Sequence, residues 1–197
     1  HTYGMLTMSK YPIINQGEIN FENSIGNNAI YADIVFNADT IRIYNVHLQS
    51  LHFANKDYVF ANKIINKSSI TTDELKEGSR QLVRKFINGA MKRTLQVQVL
   101  LNHIQQSPYK TIICGDFNDT PWSYCYAQLS KDKKDAFVES GKWFSKTMKI
   151  NKILSFRIDY ILYDKTLNSF NYRVSDNHLS DHEYIVTEIT NQKVETT

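Results

Sequence analysis

The chain of 197 residues is long enough for one domain with a sizeable core, since 42% of its residues are hydrophobic and 12% are aromatic. A net charge of +3 is compatible with an anionic substrate but excludes a protein that coats nucleic acid through charge alone. Two cysteines exclude a disulfide framework, and no apolar run has the length that a membrane-spanning helix needs.

The first predicted elements are a β-hairpin and a long helix. Residues 28–36 and 40–48 are rich in Ile, Val and Tyr, and the short polar turn between them favours pairing of the two strands. Thr71 and Glu74 have the spacing of a helix capping box. Apolar residues then recur at helical spacing over 83–104, before Pro108. A helical stretch is therefore expected after the hairpin, and Gly89 is the position at which it could be interrupted.

The next predicted element is the segment TIICGDFND, residues 111–119, in which an apolar strand runs into polar residues. Gly115 permits a sharp turn at the end of the strand, and Asp116 and Asn118 then share one face of the extended backbone. A carboxylate beside an amide can hold a hard cation or orient a water or phosphate oxygen. The same residue types also form ordinary turns, so the segment alone does not decide between the two interpretations.

The rest of the chain continues the alternation of helices and strands. Thr120 and Pro121 predict the start of a helix over 122–129. Further strands are predicted at 157–163, at 170–174 and at 184–189. We expect one catalytic domain over residues 1–190, followed by a polar tail over 191–197.

Four more residues with ionisable side chains lie in or near predicted strands. His47 closes the second strand of the hairpin, and Asp159 lies in an apolar strand, where a buried carboxylate needs a partner. Asp181 and His182 are neighbours, whose side chains point to opposite faces of an extended backbone. The simplest arrangement pairs His182 with Asp159 and leaves Asp181 for a metal ion or a water.

A lysine-rich segment over 131–152 is the main candidate for a substrate loop, because it carries seven lysines against three acidic residues. Lys142 and Trp143 are its substrate-binding candidates, since a cation can hold phosphate and an aromatic ring can stack on a flat group. The alternative is a solvated surface, which is the usual role of a lysine run. Asn45 and Arg157, next to the strand motifs, are further substrate-binding candidates.

The motifs NVHLQ, GDFND, RIDYI and SDH follow one another in an order that resembles the endonuclease/exonuclease/phosphatase superfamily of metal-dependent phosphoesterases. The stretch YGMLTMSKYPI, residues 3–13, is similar to the strand and turn G-x-A-I-L-S-K-Y-P-I of that family. The stretches NVHLQS and GDFNDTPWSY most resemble the branch found in Bacteroidetes-type bacteria. The resemblance implies an α/β (α+β) fold, a four-layer αββα sandwich of two mixed β-sheets flanked by helices, with its first strands missing.

The resemblance also implies the activity of a divalent-metal-dependent phosphoester hydrolase, a nuclease-like phosphodiesterase or a phosphatase. Mg²⁺ is the expected cofactor, with Mn²⁺ as a substitute. The expected substrate is a phosphate ester, with nucleic acid among the candidates. Two alternatives stay open: a lipid or inositol phosphoesterase, since one centre serves many substrates in this superfamily, and a non-catalytic phosphate-binding module.

Roles for individual residues follow from the same resemblance. Asp116 would activate or orient the attacking water beside Asn118, and both are candidate metal ligands together with Asp181. His47 would contact the scissile phosphate or assist the leaving group. His182 would neutralise the charge of the phosphoryl oxygens, and Asp159 would orient His182. The general base is either Asp116 or His182.

The chain departs from the family pattern at its start, because no asparagine or glutamate precedes Ser9. Family members carry a metal-binding glutamate and an asparagine upstream of this point. We therefore expect the chain to be the later part of a catalytic domain, to bind Mg²⁺ weakly alone and to self-associate through an exposed sheet edge. No membrane contact is expected of this segment, and location inside or outside the cytoplasm stays open.

Overall fold

The computed structural model describes residues 4–22, 24, 26–51, 55–66, 70–142, 145–149, 155–176 and 180–191. The strands are β1 (Ile13–Asn20), β2 (Asn28–Phe36), β3 (Asp39–His47), β4 (Lys110–Asp116), β5 (Lys133–Asp135), β6 (Met148–Lys149), β7 (Ser155–Phe156), β8 (Asp159–Asp164), β9 (Asn168–Val174) and β10 (Ile185–Thr190). The helices are α1 (Asn55–Ile65), α2 (Thr72–Gln105), α3 (Tyr124–Ser130) and α4 (Ala136–Ser140).

A six-stranded sheet in the order β1-β2-β3-β4-β8-β5 forms the centre of the protein. The sheet is mixed, because β3 and β4 run parallel while its other neighbouring strands pair antiparallel. The predicted hairpin is confirmed as β2 and β3, whose turn holds Asn37 in the left-handed region at φ 56°. A parallel step requires a long crossover, which here contains α1 and α2.

The two faces of this sheet are covered by different layers. Side chains of α2 and α3, including Val97, Leu100 and Leu129, pack on one face against Tyr44 and Ile113. The other face packs against the two-stranded antiparallel sheet of β9 and β10. This second core contains the large apolar side chains Ile112, Tyr163, Tyr172, Ile185 and Ile189. The expected mixed α/β fold with two facing sheets is confirmed, although the smaller sheet is antiparallel rather than mixed.

The long helix α2 begins with the predicted capping box. The Thr71 hydroxyl accepts a hydrogen bond from the Glu74 amide at 3.2 Å, and the Glu74 carboxylate accepts one from the Thr71 amide at 3.0 Å. The helix continues through buried Gly89, where a Cβ would lie 2.7 Å from a Leu51 methyl group. Among the helices that the structure describes, none is both long and apolar enough to cross a bilayer.

Two predicted element boundaries shift in the structure. The helix predicted at 122–129 is α3, and its N-cap is Ser123, whose hydroxyl accepts from the Tyr126 amide at 3.2 Å. The strand predicted at 157–163 is β8, which begins at Asp159. Most of the expected polar tail, residues 192–197, lies outside the described residues.

Candidate active site

Three predicted catalytic residues stand side by side where the central strands of the large sheet meet. His47 at the end of β3 is the register partner of Asp116 at the end of β4. Asp116 is in turn the partner of Asp159 at the start of β8. Neighbouring strands are about 4.8 Å apart, so the ladder alone brings these side chains to one edge of the sheet.

The turn after β4 aims Asp116 and Asn118 at this edge. Gly115 has φ 137°, and a Cβ there would lie 2.0 Å from the Val46 carbonyl oxygen, so only glycine fits. Asn118 is also left-handed, at φ 50°. Its backbone amide donates to Asp116 Oδ1 at 2.7 Å, and its Nδ2 donates to Asp116 Oδ2 at 2.9 Å and to the Leu48 carbonyl at 3.0 Å. Its Oδ1 is therefore the atom that it can offer to a ligand.

His182 reaches the same edge from the loop before β10. The loop is attached by an isolated β-bridge between Met148 and His182. The expected pairing with Asp159 is present, with His182 Nδ1 at 3.1 Å from Asp159 Oδ2. His182 Nε2 lies 4.0 Å from Asp116 Oδ2, and His47 Nε2 lies 3.9 Å from the same oxygen. Asp116 is thus flanked by two imidazoles.

The protein environment raises the pKa values of both Asp116 and His182. Burial, together with the charge of Asp159, raises the pKa of Asp116 to about 7. The hydrogen bond to Asp159 raises the pKa of His182 to about 9. At neutral pH, His182 is therefore a cation, while Asp116 is populated in both its protonated and its ionised form. Perturbed groups of this kind are characteristic of catalytic sites.

The donor set fits a divalent cation. Asp116, Asp159 and His182 each carry a potential ligand atom, and these atoms lie within 4.8 Å of one another. Because His182 is protonated at neutral pH, the two carboxylates are the ligands available there. Burial and then the charge of Asp159 raise the pKa of Asp116, and a hard cation between the two carboxylates would neutralise their charge. The predicted ligand Asp181 is exposed in the same cavity, and its carboxylate is not part of this close group.

These residues line a cavity of ≈ 370 Å³. Its polar end contains His47, Asp116, Asn118, Asp181 and His182. The opposite wall is apolar and includes Leu51, Tyr58, Phe86, Met148, Phe156 and Ile158. A cavity that combines convergent polar groups with apolar walls is the usual form of a small-molecule or substrate site.

Comparison with known families agrees with the geometry. A sequence model described as the Endonuclease/Exonuclease/phosphatase family matches residues 1–182. The chain belongs to this family. The match covers all four motifs that carried the resemblance. A comparison with curated protein sequences gave no significant match.

Several solved structures share the fold of this chain at low sequence identity. An endonuclease/exonuclease/phosphatase from Bacteroides vulgatus aligns with TM-score 0.64 and 15% identity, over 92% of this chain and 66% of that chain. A conserved protein of unknown function from Enterococcus faecalis aligns with TM-score 0.61 and 14% identity, over 93% and 68%. A mannosyl-6-phosphatase from Bacteroides thetaiotaomicron aligns with TM-score 0.58 and 11% identity, over 92% and 67%. The chain therefore spans about two thirds of the length of these structures.

Two residues beside the family motifs escaped the sequence analysis. Arg93 of α2 is buried at the cavity wall, where its Nε donates to Asp119 Oδ2 at 2.9 Å and its Nη1 to the Gln49 carbonyl at 3.0 Å. Buried Asn27 places its Nδ2 3.5 Å from His47 Nε2. An arginine at a helix position that faces the core was the signal for Arg93, but Asn27 has no motif of its own.

One substrate-binding prediction is wrong. The Arg157 guanidinium is buried, donates to Asp135 Oδ2 at 2.6 Å, and lies 4.7 Å from the ring centroids of Phe137 and Tyr160. An ion pair enclosed by aromatic rings cannot turn toward a substrate, so Arg157 supports the fold beneath the site.

Neither Asn45 nor Lys142 lines the described cavity. Asn45 donates from Nδ2 to the Leu6 carbonyl at 3.1 Å, and Lys142 is exposed just beyond α4. Trp143 lies outside the described residues. Much of the lysine-rich segment is folded rather than looped, since Lys133, Lys134 and Asp135 form β5. Lys133 pairs with the Asp164 carboxylate at the end of β8, and Lys134 donates to the Leu167 carbonyl just before β9. These contacts favour a structural role for the lysine-rich segment.

Proposed function

We propose that the protein is a divalent-metal-dependent phosphoester hydrolase whose reaction takes place in the cavity around Asp116. The observation that carries the proposal is the position of Asp116 Oδ2 between two imidazoles, at 3.9 Å from His47 Nε2 and 4.0 Å from His182 Nε2. This arrangement unites a proton acceptor with two imidazole groups in one cavity of a family member.

Asp116 is proposed to act as the general base. Its pKa of about 7 lets it accept a proton from the attacking water near neutral pH, whereas His182, with a pKa of about 9, is already protonated. Asn118 fixes the Asp116 carboxylate through one hydrogen bond to each oxygen, which leaves a further acceptor site on each oxygen to orient the water. The proposal therefore assigns the general base to Asp116 rather than to His182.

His182 and His47 are proposed to act on the phosphate. The His182 imidazolium would hold the phosphoryl oxygens as negative charge spreads over them in the transition state, with Asp159 fixing its orientation from behind. His47, on the other side of Asp116, would donate a proton to the leaving oxygen. A Mg²⁺ or Mn²⁺ ion bound by the carboxylates of this cavity would supply Lewis-acid neutralisation of the phosphate charge.

The substrate class is best tested by direct comparison. We would incubate the protein with Mg²⁺ and DNA, RNA, a phosphoinositide, sphingomyelin or mannose 6-phosphate, and with bis(p-nitrophenyl) phosphate as a small soluble diester. Asp116→Ala should lower the rate by about 10³-fold or more, since it removes the base. Asp132→Ala is the matched control, because Asp132 is exposed and forms a surface ion pair with Lys165 at 3.3 Å.

Equal activity of Asp116→Ala and the parent would defeat this mechanism. If the parent binds phosphate by calorimetry but hydrolyses none of these esters, the non-catalytic phosphate-binding alternative holds instead.

A further inference from the structure

Helix α2 presents an apolar row to solvent on the side away from the core. Its buried residues are Gly89, Arg93, Gln96, Val97 and Leu100. Roughly opposite them on the helix are four large apolar side chains at intervals of four residues, which we call the outward ridge: Val83, Ile87, Met91 and Leu95. Each ridge side chain is more than half exposed. Since residues four apart are neighbours on a helix surface, the four form one continuous row.

The size of the ridge sets it apart from ordinary surface hydrophobics. Single exposed apolar residues are common and need no explanation, but contiguous apolar patches mark interaction sites. Leu95 is twelve residues beyond Val83, so at a rise of 1.5 Å per residue the ridge is about 18 Å long. This row therefore needs a partner surface that is apolar over a similar length.

The charge around the ridge identifies the kind of partner. From Gly78 to Gln106 the sequence contains five basic residues and no Asp or Glu. Two of them are engaged close to the protein body, Lys85 with Asp57 and Arg93 with Asp119. A third, Arg80, pairs with Glu77 at 3.7 Å, while Arg84 and Lys92 are exposed beside the ridge. An apolar row flanked by cations without acids is complementary to an anionic lipid surface.

The charge and composition of the ridge disfavour two other partners, a second copy of the chain and a nucleic acid. A second copy that docked through this face would bring the cations of both copies together, because a two-fold interface is self-complementary only when its charges are mixed. Nucleic acid would match the cations, but it is held by stacking on aromatic rings, and the ridge consists of Val, Ile, Met and Leu.

Helix α2 carries the ridge and, on a different face, also forms part of the cavity wall. Phe86, the residue before Ile87, is half exposed and lines the cavity that contains Asp116. We propose that the outward ridge docks α2 on an anionic lipid surface and brings the mouth of the cavity to lipid headgroups, so that the substrate is a lipid phosphoester. The docking stands on the ridge alone, whereas the substrate class rests on the proposed function. This inference replaces the expectation that the segment makes no membrane contact.

Flotation with vesicles tests the docking without any need for catalysis. We expect the protein to bind phosphatidylcholine vesicles that contain phosphatidylglycerol, and to bind pure phosphatidylcholine vesicles much less. The double variant Ile87→Gln/Met91→Gln should lower the partition coefficient roughly tenfold or more, since two apolar side chains no longer insert. Arg84→Gln/Lys92→Gln should lower it roughly tenfold or more through lost attraction, at about fivefold per cation.

The control is Val138→Gln, which removes a side chain that is 66% exposed on the short helix α4, outside the ridge. It should bind vesicles like the parent. All four proteins should hydrolyse bis(p-nitrophenyl) phosphate equally, because none of the changed residues lines the cavity. An equal loss of binding in Val138→Gln, or no preference of the parent for anionic vesicles, would overturn the proposal. A concentration-dependent dimer that the ridge variant abolishes, without vesicle binding, would overturn it in favour of self-association.

The two proposals fail in different ways. Vesicle binding without hydrolysis of any ester leaves the docking intact and removes the proposed function. Hydrolysis of the soluble diester without vesicle binding keeps the proposed function and removes the lipid surface.

Discussion

The carboxylates of Asp116 and Asp159 belong to directly paired residues of the antiparallel β4 and β8 ladder. Both side chains are largely buried, and the pKa of Asp116 rises from 3.8 to about 7 through burial and the charge of Asp159. The folded protein thus prefers Asp116 protonated. Stability from the neutral form is complete below pH 3.8 and is lost as the pH rises through 7, so the ionised base opposes folding.

Replacement of this base should therefore stabilise the protein while it abolishes hydrolysis. Asp116→Asn keeps the shape of the side chain and cannot ionise, so we expect its Tm to exceed that of the parent by roughly 3 °C or more at pH 8. Near pH 4 the two Tm values should converge. Scanning calorimetry without added metal measures this, and Asp181→Asn, at an exposed position of the same cavity, should show no such gain. A lower Tm of Asp116→Asn at pH 8 would contradict the account.

Asp159 should set the protonation of His182. The hydrogen bond at 3.1 Å is the main cause of the raised pKa of His182, so Asp159→Asn should return that pKa from about 9 toward 6.5. NMR titration of the imidazole in metal-free protein would measure this shift. In the parent, the stability contributed by the His182 cation is complete below pH 6.5 and is lost as the pH rises through 9.

The activity of Asp159→Asn should follow that titration. If His182 must be cationic to hold the phosphate, the alkaline limb of the rate profile moves to lower pH in the variant. An unchanged profile would show that Asp159 only supports the fold.

Arg157 should prove structural. Arg157→Met removes one partner of the buried ion pair with Asp135, and we expect it to lower the free energy of unfolding by about 3–5 kcal/mol. Urea unfolding measures this loss. The double variant Arg157→Met/Asp135→Leu should recover part of it, since no charge is then left buried alone. A raised KM with unchanged stability would restore the substrate-binding role.

Gly115 should tolerate no side chain. Gly115→Ala would place a Cβ 2.0 Å from the Val46 carbonyl oxygen, and we expect a loss of about 3 kcal/mol or more in unfolding free energy. Gly26→Ala is the matched control, because Gly26 also has a positive φ of 76° but has open space around it. The control should lose only about 1–2 kcal/mol, from the left-handed backbone alone.

The sequence predicts the positions of the catalytic residues well, and it predicts the contacts around them less well. Periodicity and turn chemistry around Gly115 place Asp116 at a strand end, and the cost of burying Asp159 predicts its imidazole partner. These inferences depend on local patterns. The pairing of β5 with β8 joins residues about thirty apart, and no local pattern reports it. For this reason the sequence places Asp135 in a predicted substrate loop and makes its partner Arg157 a candidate for substrate binding.

The same limit explains why Asn27 and Arg93 were missed. Each contacts the site through a polar group that meets its partner only after the strands and α2 have packed. The exposed ridge of α2 is a related case. Its apolar residues have helical spacing in the sequence, and that spacing alone does not distinguish Val83 and Ile87 from Val97. The structure buries Val97 and leaves Val83 and Ile87 exposed, because only the second half of α2 packs on the sheet.

The candidate catalytic residues differ in how they are held in place, because three are on paired strands and one is on a loop. His47, Asp116 and Asp159 are fixed by strand pairing and can move only if the sheet itself opens. His182 is on a loop secured by one bridge to Met148, by its contact with Asp159 and by the buried carboxylate of Glu183, which pairs with Lys149 Nζ at 2.9 Å and accepts from Ser175 Oγ at 2.8 Å. Mild denaturant that breaks these few contacts should release the phosphate-binding cation while the base remains in position. Sequence changes at the exposed loop positions Ser180 and Asp181 should therefore tune the turnover rate of the protein at little cost to its global stability.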